Sequence, residues 1–553
     1  MKAKKLVALV LAAVMMMSLA VCGASAEGAV KDTFTVALGG EPEMLDPSIA
    51  TDSVSETPIQ MIYLPLFTMD ENGDLVNGAC ESYTVSEDGL TYTLKLVDGN
   101  KWSDGVDVKA SDYAFAAKRS LGMGSALSYY SYFIKDYVLN ADKYEGADVA
   151  DMTDIGIVAD DEANTVTITL AKPCTYYPLL LASNVFTAVR ADVATEHEST
   201  WALNADMPVN GAYKPVSLQM NSELTFVKND FFVFADKVKT QNIVLKVMED
   251  MDAQLMAFQT GEVDLALSVD ASVATKLYAG SPELIETNSV INYYVQMNSA
   301  DWSTAQALTD YNVRRALQLA LDRDQICEAL DSGDAYYALY GYVPKGIAGV
   351  DGDFRTEADE AHPLVSYDPE QAKALLAESG WTDTDGDGFV DKDGQPLTLV
   401  YKYNANNMHN TVAQVMQEQW KAVGIKVTFE TAEVKVFFAD RDENGNYELA
   451  RGAMSADYMD PTTFLCMLIS SAQQKPVVTD ETYDGLIADA EACLDAKERL
   501  QKLHDAETYL VETKAYTIPV FGYKSLYLCN PNMSGIGFDP VGHTYVSYAS
   551  VAQ

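Results

Sequence analysis

The acidic run from Asp383 to Gly394, D-T-D-G-D-G-F-V-D-K-D-G, has carboxylates at a spacing that could hold a cation. Positions 1, 3, 5 and 9 of a twelve-residue EF-hand loop supply ligands to calcium, and position 6 is glycine. The residues at these four ligand positions are Asp383, Asp385, Asp387 and Asp391. Position 12 is Gly394, so the bidentate glutamate is missing, and strand-like residues follow where a second helix is required. The run predicts either an incomplete calcium site or a solvated acidic hairpin, and we favour the hairpin.

Residue patterns that carry out enzymatic catalysis are absent from the sequence. The five histidines are scattered, and none has the H-E-x-x-H spacing of a zinc hydrolase. The sequence has no G-x-S-x-G nucleophile elbow and no phosphate-binding P-loop. We therefore expect a protein that is not an enzyme and that needs no cofactor.

Length, charge and cysteine spacing narrow the class of protein. A chain of 553 residues is too long for one hydrophobic core, so we expect two or three packed units. The formal net charge of −43 repels phosphate backbones, which excludes nucleic-acid binding, and it attracts cationic ligands weakly at long range. Six cysteines follow position 22 without C-x-x-C spacing. This excludes a zinc site or a dense disulfide scaffold and predicts that most are small buried side chains.

Residues 1–26 have the pattern of an export signal. Three lysines precede an apolar run from Leu6 to Val21, and Cys22 follows. Two cleavage alternatives stay open. The segment 19–23 resembles a lipoprotein processing box in which Cys22 would carry a lipid anchor, although valine replaces the small residue that usually precedes the cysteine. Ala24-Ser25-Ala26 is an ordinary cleavage site that would release the protein, and either alternative places the mature chain outside the cytoplasm.

Short strand-like segments alternate with helical segments along the chain, which predicts α/β units. The clearest strand patterns lie at 34–38, 92–96 and 165–170. A helix is predicted at 368–381, because Asp368 can cap it, Pro369 suits its first turn and Gly380 can end it. A second helix is predicted from Asn410 to Val423, leading directly into another strand.

Seven sequence blocks carry a resemblance to a known family. In chain order they are G-G-E-P-E-M-L-D-P (39–47), Y-L-P-L-F-T-M-D-E-N-G (63–73), S-E-D-G-L-T-Y-T-L-K-L-V-D-G-N-K-W-S-D-G (86–105), A-S-D-Y-A-F-A-A-K-R (110–119), N-G-A-Y (210–213), A-F-Q-T-G-E-V-D (257–264) and V-R-R-A-L-Q-L-A-L-D-R (313–323). One block would be weak evidence, whereas seven in the correct order are specific. Over essentially the whole mature chain, the sequence resembles the oligopeptide- and dipeptide-binding lipoproteins of ABC importers, bacterial extracellular solute-binding protein family 5.

The resemblance implies a two-lobed periplasmic-binding-protein-like α/β fold, the Venus flytrap, which encloses ligand between its lobes. Lobe I would comprise 30–77, 206–293 and 526–553, with an inserted subdomain at 78–205, and lobe II would comprise 294–525. The implied function is extracytoplasmic capture of short peptides for an ABC permease and ATPase complex. We expect a monomer at the outer face of the cell membrane or in the periplasm. The same fold binding a nickel complex, haem or an oligosaccharide, or sensing a peptide signal, stays an alternative.

A peptide at neutral pH presents an ammonium group, a carboxylate and a row of backbone donors and acceptors, which a general peptide site must satisfy. A buried ammonium without a partner is strongly unfavourable, so the cleft requires a carboxylate. The block R-G-A-M-S-A-D-Y-M-D-P at 451–461 resembles the family's ligand-contacting loop. The resemblance implies that Asp457 receives the ammonium and that Arg451 engages the carboxylate. Met454, where the family often has tryptophan, would form a softer wall.

Other residues are weaker candidates for the cleft. Without the resemblance, Asp457 would be assigned to a surface turn. Tyr129, Tyr130 and Tyr132 could line the cleft from the inserted subdomain, although such a helix edge is more often packing, and Tyr458 is predicted to be core. Nickel capture is disfavoured because the histidines show no local cluster; they are His197, His362, His409, His504 and His543.

Overall fold

The computed structural model of the chain describes residues 30–70, 74–194, 200–473 and 477–553. The predicted export signal and Cys22 lie outside the described residues. The strands are β1 Thr33–Leu38, β2 Phe67–Met69, β3 Leu75–Asn77, β4 Cys80–Val85, β5 Thr91–Leu96, β6 Ile157–Asp160, β7 Thr165–Thr169, β8 Tyr213–Gln219, β9 Glu223–Lys228, β10 Asn242–Val247, β11 Leu265–Ala266, β12 Leu284–Met297, β13 Tyr336–Ala338, β14 Asp391–Lys392, β15 Gln395–Pro396, β16 Thr398–Asn404, β17 Lys426–Ala432, β18 Leu449–Ser455, β19 Thr517–Cys529, β20 Met533–Ser534, β21 Gly537–Phe538, β22 Thr544–Tyr545 and β23 Ser550–Val551.

The described part of the chain also contains α-helices, besides shorter 3₁₀ and π segments. They are α1 Ser53–Ile62, α2 Ala110–Met123, α3 Tyr132–Lys135, α4 Tyr177–Leu180, α5 Met251–Gln259, α6 Ala271–Tyr278, α7 Tyr311–Leu319, α8 Arg323–Ala329, α9 Phe354–Ala361, α10 Pro369–Glu378, α11 Asn407–Ala422, α12 Val434–Phe438, α13 Thr462–Leu465, α14 Glu481–Glu491 and α15 Ala496–Thr508. Among the described residues, none of these helices combines the length and apolar character that a bilayer crossing requires.

One mixed sheet of eleven strands joins the two halves of the molecule. Its order is β17-β16-β18-β12-β19-β11-β1-β10-β9-β8, and β13 pairs with β19 beside this path. The pairs β1–β10, β1–β11, β16–β17 and β16–β18 are parallel, and the other pairs are antiparallel. The long strands β12 and β19 lie at the centre and pair with each other, so they connect the strands of one half to those of the other.

Buried side chains form separate cores in the two halves. The largest cluster includes Phe34, Leu94, Tyr177 and Leu245, and it also contains the second, four-stranded antiparallel sheet β4-β5-β7-β6. Two further clusters lie in the other half, one around Trp420 and one that contains Phe464, Leu503 and Leu510. The mixed sheet with helices packed on it explains why strand and helix patterns alternate in the sequence. The exact boundaries predicted for the lobes and the inserted subdomain stay predictions.

The elements predicted from sequence agree closely with the structure. The three strand patterns correspond to β1, β5 and β7 with ends that differ by one residue. Helix α10 is capped as predicted, because the Asp368 side chain accepts a hydrogen bond from the Gln371 N–H. Gly380 follows it with φ of +82°, a conformation that favours glycine. The start predicted for α11 was wrong by three residues, because Asn406 is the capping residue and accepts from the His409 N–H at 2.7 Å.

The six described cysteines are all free thiols. Cys80, Cys174 and Cys529 are buried, and burial raises the pKa of each thiol above its usual value. These three side chains lie in the largest core cluster and serve as small apolar groups there.

Candidate functional site

Strand β18 has an open edge beside the central sheet. On one side it pairs with β12 from Leu449 to Ser455. On the other side it pairs with β16 only at Leu449 and Ala450, so the edge from Arg451 to Ser455 has no strand neighbour among the described residues. One side chain reaches this edge: an N–H of Arg441 donates to the Arg451 carbonyl oxygen at 3.2 Å. An open strand edge offers backbone donors and acceptors to an added strand.

Asp457 lies just beyond the end of β18, where the chain leaves the sheet. Its backbone N–H donates to the Thr463 hydroxyl, which fixes the turn. Its carboxylate accepts from the Tyr132 hydroxyl at 2.8 Å and from the Tyr129 hydroxyl at 3.4 Å. No cationic side chain of the described residues forms an ion pair with it. Burial raises the pKa of Asp457, and the two tyrosine bonds offset only part of that shift.

A cavity of about 60 Å³ lies between the two halves and is bordered by Asp457. Its walls are mostly apolar or aromatic, from Tyr130 and Phe133 on one side to Leu179 and Met459 on the other. Its polar groups come mainly from the first half of the chain and the C-terminal segment; they are Glu56, Gln60, Ser183, Asn184, Asp539, His543 and Tyr545. Tyr458 also borders the cavity but is buried and stacked on Tyr176, in agreement with its predicted place in the core.

Two carboxylates in this cavity have different environments. Asp539 accepts from His543 Nδ1 at 2.9 Å and from the Tyr545 hydroxyl at 2.9 Å. The Asp539 charge opposes the effect of burial and raises the pKa of His543 to about 9. Glu56 accepts from the Asn184 amide at 2.6 Å through Oε1, while Oε2 is buried with no hydrogen-bond partner in the described structure. Burial raises the pKa of Glu56, so this carboxylate lacks full compensation.

A second cavity, of about 550 Å³, runs beside β18 and also reaches Tyr129. Met454 and Arg441 both line it, and the ligand contact expected of Met454 stays a prediction. The Arg441 guanidinium donates to both carboxylate oxygens of Asp442 at 2.6 and 2.9 Å. Because Tyr129 also donates to Asp457, the two cavities meet near that carboxylate.

Arg451 lines neither of these two cavities. It is 7% exposed, and its guanidinium lies over the rings of Phe437 and Phe438 at 5.4 and 5.8 Å. Its Nε is buried without a hydrogen-bond partner in the described structure. Burial and the Arg451 charge lower the pKa of His409 to about 4, so the His409 ring is neutral at neutral pH, and its Nδ1 also lacks a partner.

The sequence matches the family described as "Bacterial extracellular solute-binding proteins, family 5 Middle" over residues 74–476. The chain belongs to this family. Similar relatives include the periplasmic oligopeptide-binding protein OppA of Salmonella typhimurium, 29% identical over 93% of this chain and 92% of that protein. The dipeptide-binding protein DppE of Bacillus subtilis is 25% identical over 92% of this chain and 90% of that protein.

A solved structure confirms the fold prediction. The unliganded open form of the periplasmic murein tripeptide-binding protein MppA has a TM-score of 0.77 and 24% identity, and the match covers 95% of this chain and 99% of that one. This family 5 protein therefore has the α/β fold of periplasmic solute-binding proteins.

Three of the four carboxylates in the predicted calcium run of this family 5 protein lie together. Oxygens of Asp383, Asp385 and Asp391 lie within 4.8 Å of one another, but Asp387 is not part of the group. These carboxylates already accept backbone hydrogen bonds, for example Asp383 from Gly386 and Gly388. Backbone N–H groups of the loop thus donate hydrogen bonds to its own carboxylates, an arrangement that a solvated hairpin also has. Both the hairpin and the calcium alternative stay predictions.

The structure brings Asp457, Met454 and all three tyrosines near one another, whereas Glu56, Arg441 and His409 were not among the predicted site residues. Arg441 lies between two aspartates in a segment that reads as a charged surface turn. Glu56 stands in the first turn of α1, where an acid is expected for helix stability alone. No local signal marks either as part of the cleft of a solute-binding protein.

Proposed function

We propose that this family 5 protein captures short peptides between its two halves and delivers them to an ABC permease and ATPase complex. The relatives named above bind oligopeptides and dipeptides, which supports a ligand of this class. The observation that carries the proposal is Asp457, a half-buried carboxylate at the end of an open strand with no cationic partner among the described residues.

Asp457 receives the α-ammonium group of the peptide. An ionised carboxylate removed from water is unstable unless it is paired, and the raised pKa of Asp457 reports this imbalance. A ligand ammonium supplies the missing charge, while the hydroxyls of Tyr129 and Tyr132 hold the carboxylate in position. Charge-assisted hydrogen bonds of this kind are the strong ones.

The peptide backbone extends along the open edge of β18. The stretch from Arg451 to Asp457 spans at most ~20 Å, since a strand rises about 3.3 Å per residue. An extended peptide of three to five residues spans ~10–17 Å, and the charged side chains at both ends bridge the remaining distance. Backbone pairing of this kind gives affinity without reading side chains.

The ligand carboxylate binds at the end of the strand near Arg441 and Arg451. Both guanidiniums lie over the rings of Phe437 and Phe438, and Asp442 is the carboxylate that pairs with Arg441. Arg441 and Arg451 are two cations, and Asp442 is their one anionic partner among the described residues, so this end of the strand has an excess positive charge. The other end, at Asp457, has a negative charge. Arg441 faces the larger cavity and makes the contact, while Arg451 and the neutral His409 lie behind it.

The remaining predictions belong to the same proposal. The mature protein acts outside the cytoplasm as a monomer, either tethered to the membrane by a lipid at Cys22 or released by cleavage after Ala26, and it binds solute without catalysing a reaction or using a cofactor. Lobe I comprises 30–77, 206–293 and 526–553, with the inserted subdomain at 78–205, and lobe II comprises 294–525.

Titration calorimetry with trialanine and N-acetyl-trialanine tests the proposal. N-acetylation and the substitution Asp457→Asn should each weaken binding by roughly 30-fold or more, because truncating one partner of a buried charge pair costs about 2–5 kcal/mol. The exposed Asp489→Asn is the matched control and should bind like the wild type. Equal affinity for the acetylated peptide contradicts the role of Asp457. If an oligosaccharide, haem or a nickel complex gives binding heat and no peptide does, the proposal that the ligand is a peptide is contradicted.

A further inference from the structure

Glu56 is a buried acid that the proposed peptide contacts do not use. It is 5% exposed, and its Oε2 is the buried carboxylate oxygen of this cavity that has no hydrogen-bond partner in the described structure. The other oxygen, Oε1, is already engaged by the Asn184 amide at 2.6 Å. A buried acceptor left without a donor is unfavourable by about 1–3 kcal/mol, so a missing partner is implied.

The unpartnered oxygen belongs to the same cavity as Asp457. Tyr130 lines the same cavity as both carboxylates, and burial, followed by the charges of Asp457 and Glu56, raises its pKa. Asp457 enters the cavity from the end of β18, and Glu56 enters from α1 in the other half. A peptide whose ammonium binds Asp457 therefore has its first side chain beside this cavity.

The charges around the cavity do not balance. Three carboxylates line it, those of Glu56, Asp457 and Asp539, and neither lysine nor arginine is among its lining residues. The imidazolium of His543 is committed to Asp539, to which it donates at 2.9 Å. The His543 charge also acts on Glu56, but after the α-ammonium of a peptide has neutralised Asp457, this one imidazolium still faces two carboxylates, those of Glu56 and Asp539.

The shape and donor capacity of the cavity define the missing group. The cavity volume of about 60 Å³ holds at least four water-sized groups at roughly 10–15 Å³ each, enough for most of an unbranched side chain of five heavy atoms. Apolar walls from Phe133, Leu179 and Met459 suit a methylene stem with a charge at its end. A guanidinium favours two acceptor oxygens, but Glu56 has only one to offer, so a compact ammonium fits better.

We propose that the cavity between Glu56 and Asp457 is a subsite for an alkylammonium side chain, and that the protein prefers peptides with lysine as the first residue. This inference rests on the proposed function, since it requires the peptide ammonium at Asp457. Glu56 acts as a specificity-determining residue: it discriminates between first residues, whereas Asp457 is needed for every free peptide.

Calorimetry with three tripeptides at pH 7.5 and physiological salt tests the subsite. The peptides are Lys-Ala-Ala, Arg-Ala-Ala and norleucine-Ala-Ala, in which norleucine has the lysine stem without the ammonium. Wild-type protein should bind Lys-Ala-Ala about 10- to 100-fold more tightly than the norleucine peptide, the size expected for a hydrogen bond to a charged group. Arg-Ala-Ala should lie between them. Equal affinity for the lysine and norleucine peptides, or tighter binding of the arginine peptide, overturns the proposal without any substitution.

The variant Glu56→Gln should remove the lysine preference and change affinity for the norleucine peptide by less than about threefold. The exposed Glu328→Gln, which changes the net charge equally, should keep the preference. A lysine preference that persists in Glu56→Gln overturns the assignment. The two proposals fail in different ways. If neither trialanine nor any of the three peptides gives binding heat, peptide binding itself is contradicted. If free peptides bind equally well whatever their first side chain, only the lysine subsite is contradicted.

Discussion

Asp457 and Asp460 lie three residues apart in the same segment, yet their environments are opposite. Asp460 is 4% exposed and accepts from both terminal nitrogens of Arg499 at 2.7 and 2.8 Å, with the Thr462 hydroxyl as a further donor. Asp457 has only two tyrosine hydroxyls and no cation. Arg499 itself lies over the Tyr176 ring at 4.3 Å, so the ion pair is packed into the protein.

Asp460 has a cationic partner inside the protein, whereas Asp457 has none among the described residues, as the proposed contact with a peptide ammonium requires. In the fold, Asp460 pairs with Arg499 and Asp46 pairs with Arg119, and all four side chains are buried. By contrast, Asp457 forms no ion pair in the described part of the chain, and Glu56 Oε2 and Arg451 Nε have no hydrogen-bond partner there. An incomplete buried charge destabilises the free protein, and a ligand of the right charge removes that penalty.

The largest expected effect concerns stability. Asp460→Asn leaves the Arg499 guanidinium buried without its counter-ion, which should lower the free energy of unfolding by about 3–5 kcal/mol. Asp457→Asn removes a carboxylate whose pKa is raised by burial, so the free protein should be unchanged or slightly more stable. Urea unfolding of the ligand-free variants at pH 7 measures both. If both variants lose the same free energy of unfolding, the claim that Asp460 stabilises the fold and Asp457 does not is contradicted.

A second, smaller effect is the pH dependence of stability that comes from His543 and Asp539, a charge pair inside the cavity. The folded-state pKa of His543, about 9, lies above the ordinary value of 6.5, because Asp539 stabilises the imidazolium. This contribution to stability is complete below pH 6.5 and disappears as pH rises to about 9. It amounts to roughly 2 kcal/mol after allowance for partial solvent screening.

The variant His543→Gln measures this contribution. The free energy of unfolding should differ most from that of the wild type near pH 6.5, and the difference should shrink by roughly 2 kcal/mol by pH 9. A difference that stays constant over this range would show that His543 is not charged in the folded protein.

The smallest effect lies at the carboxylate end. Wild-type protein should bind the acid form of trialanine more tightly than the form with an amidated C-terminus. Arg441→Gln should reduce this affinity ratio by about tenfold, because a hydrogen bond to a charged group contributes about 1.5–3 kcal/mol and Arg451 remains nearby. Calorimetry with the acid and amide forms of the peptide measures the change. The same acid-to-amide ratio in wild type and variant would move the carboxylate contact away from Arg441.

Features that depend on neighbouring residues in the sequence could be predicted, whereas features that depend on contacts between distant segments could not. The Asp368 cap was predicted from its immediate neighbours and is confirmed. Asp457 was selected through the block around A-D-Y, and its contact with a ligand stays a prediction. Glu56 could not be identified, because its partner Asn184 is 128 residues away and its surroundings come from distant segments. The true cap of α11 was also missed, since Asn406 and Asn410 both have the right chemistry and only the backbone conformation distinguishes them.

Titration of the Asp457 carboxyl carbon by NMR, with and without saturating trialanine, tests the central claim most directly. In the free protein its pKa should lie above the usual aspartate range, because burial disfavours the charged form. Bound trialanine should lower that pKa, and N-acetyl-trialanine should not, because only a free ammonium favours the ionised carboxylate. A pKa of Asp457 that is the same with and without trialanine would contradict the account.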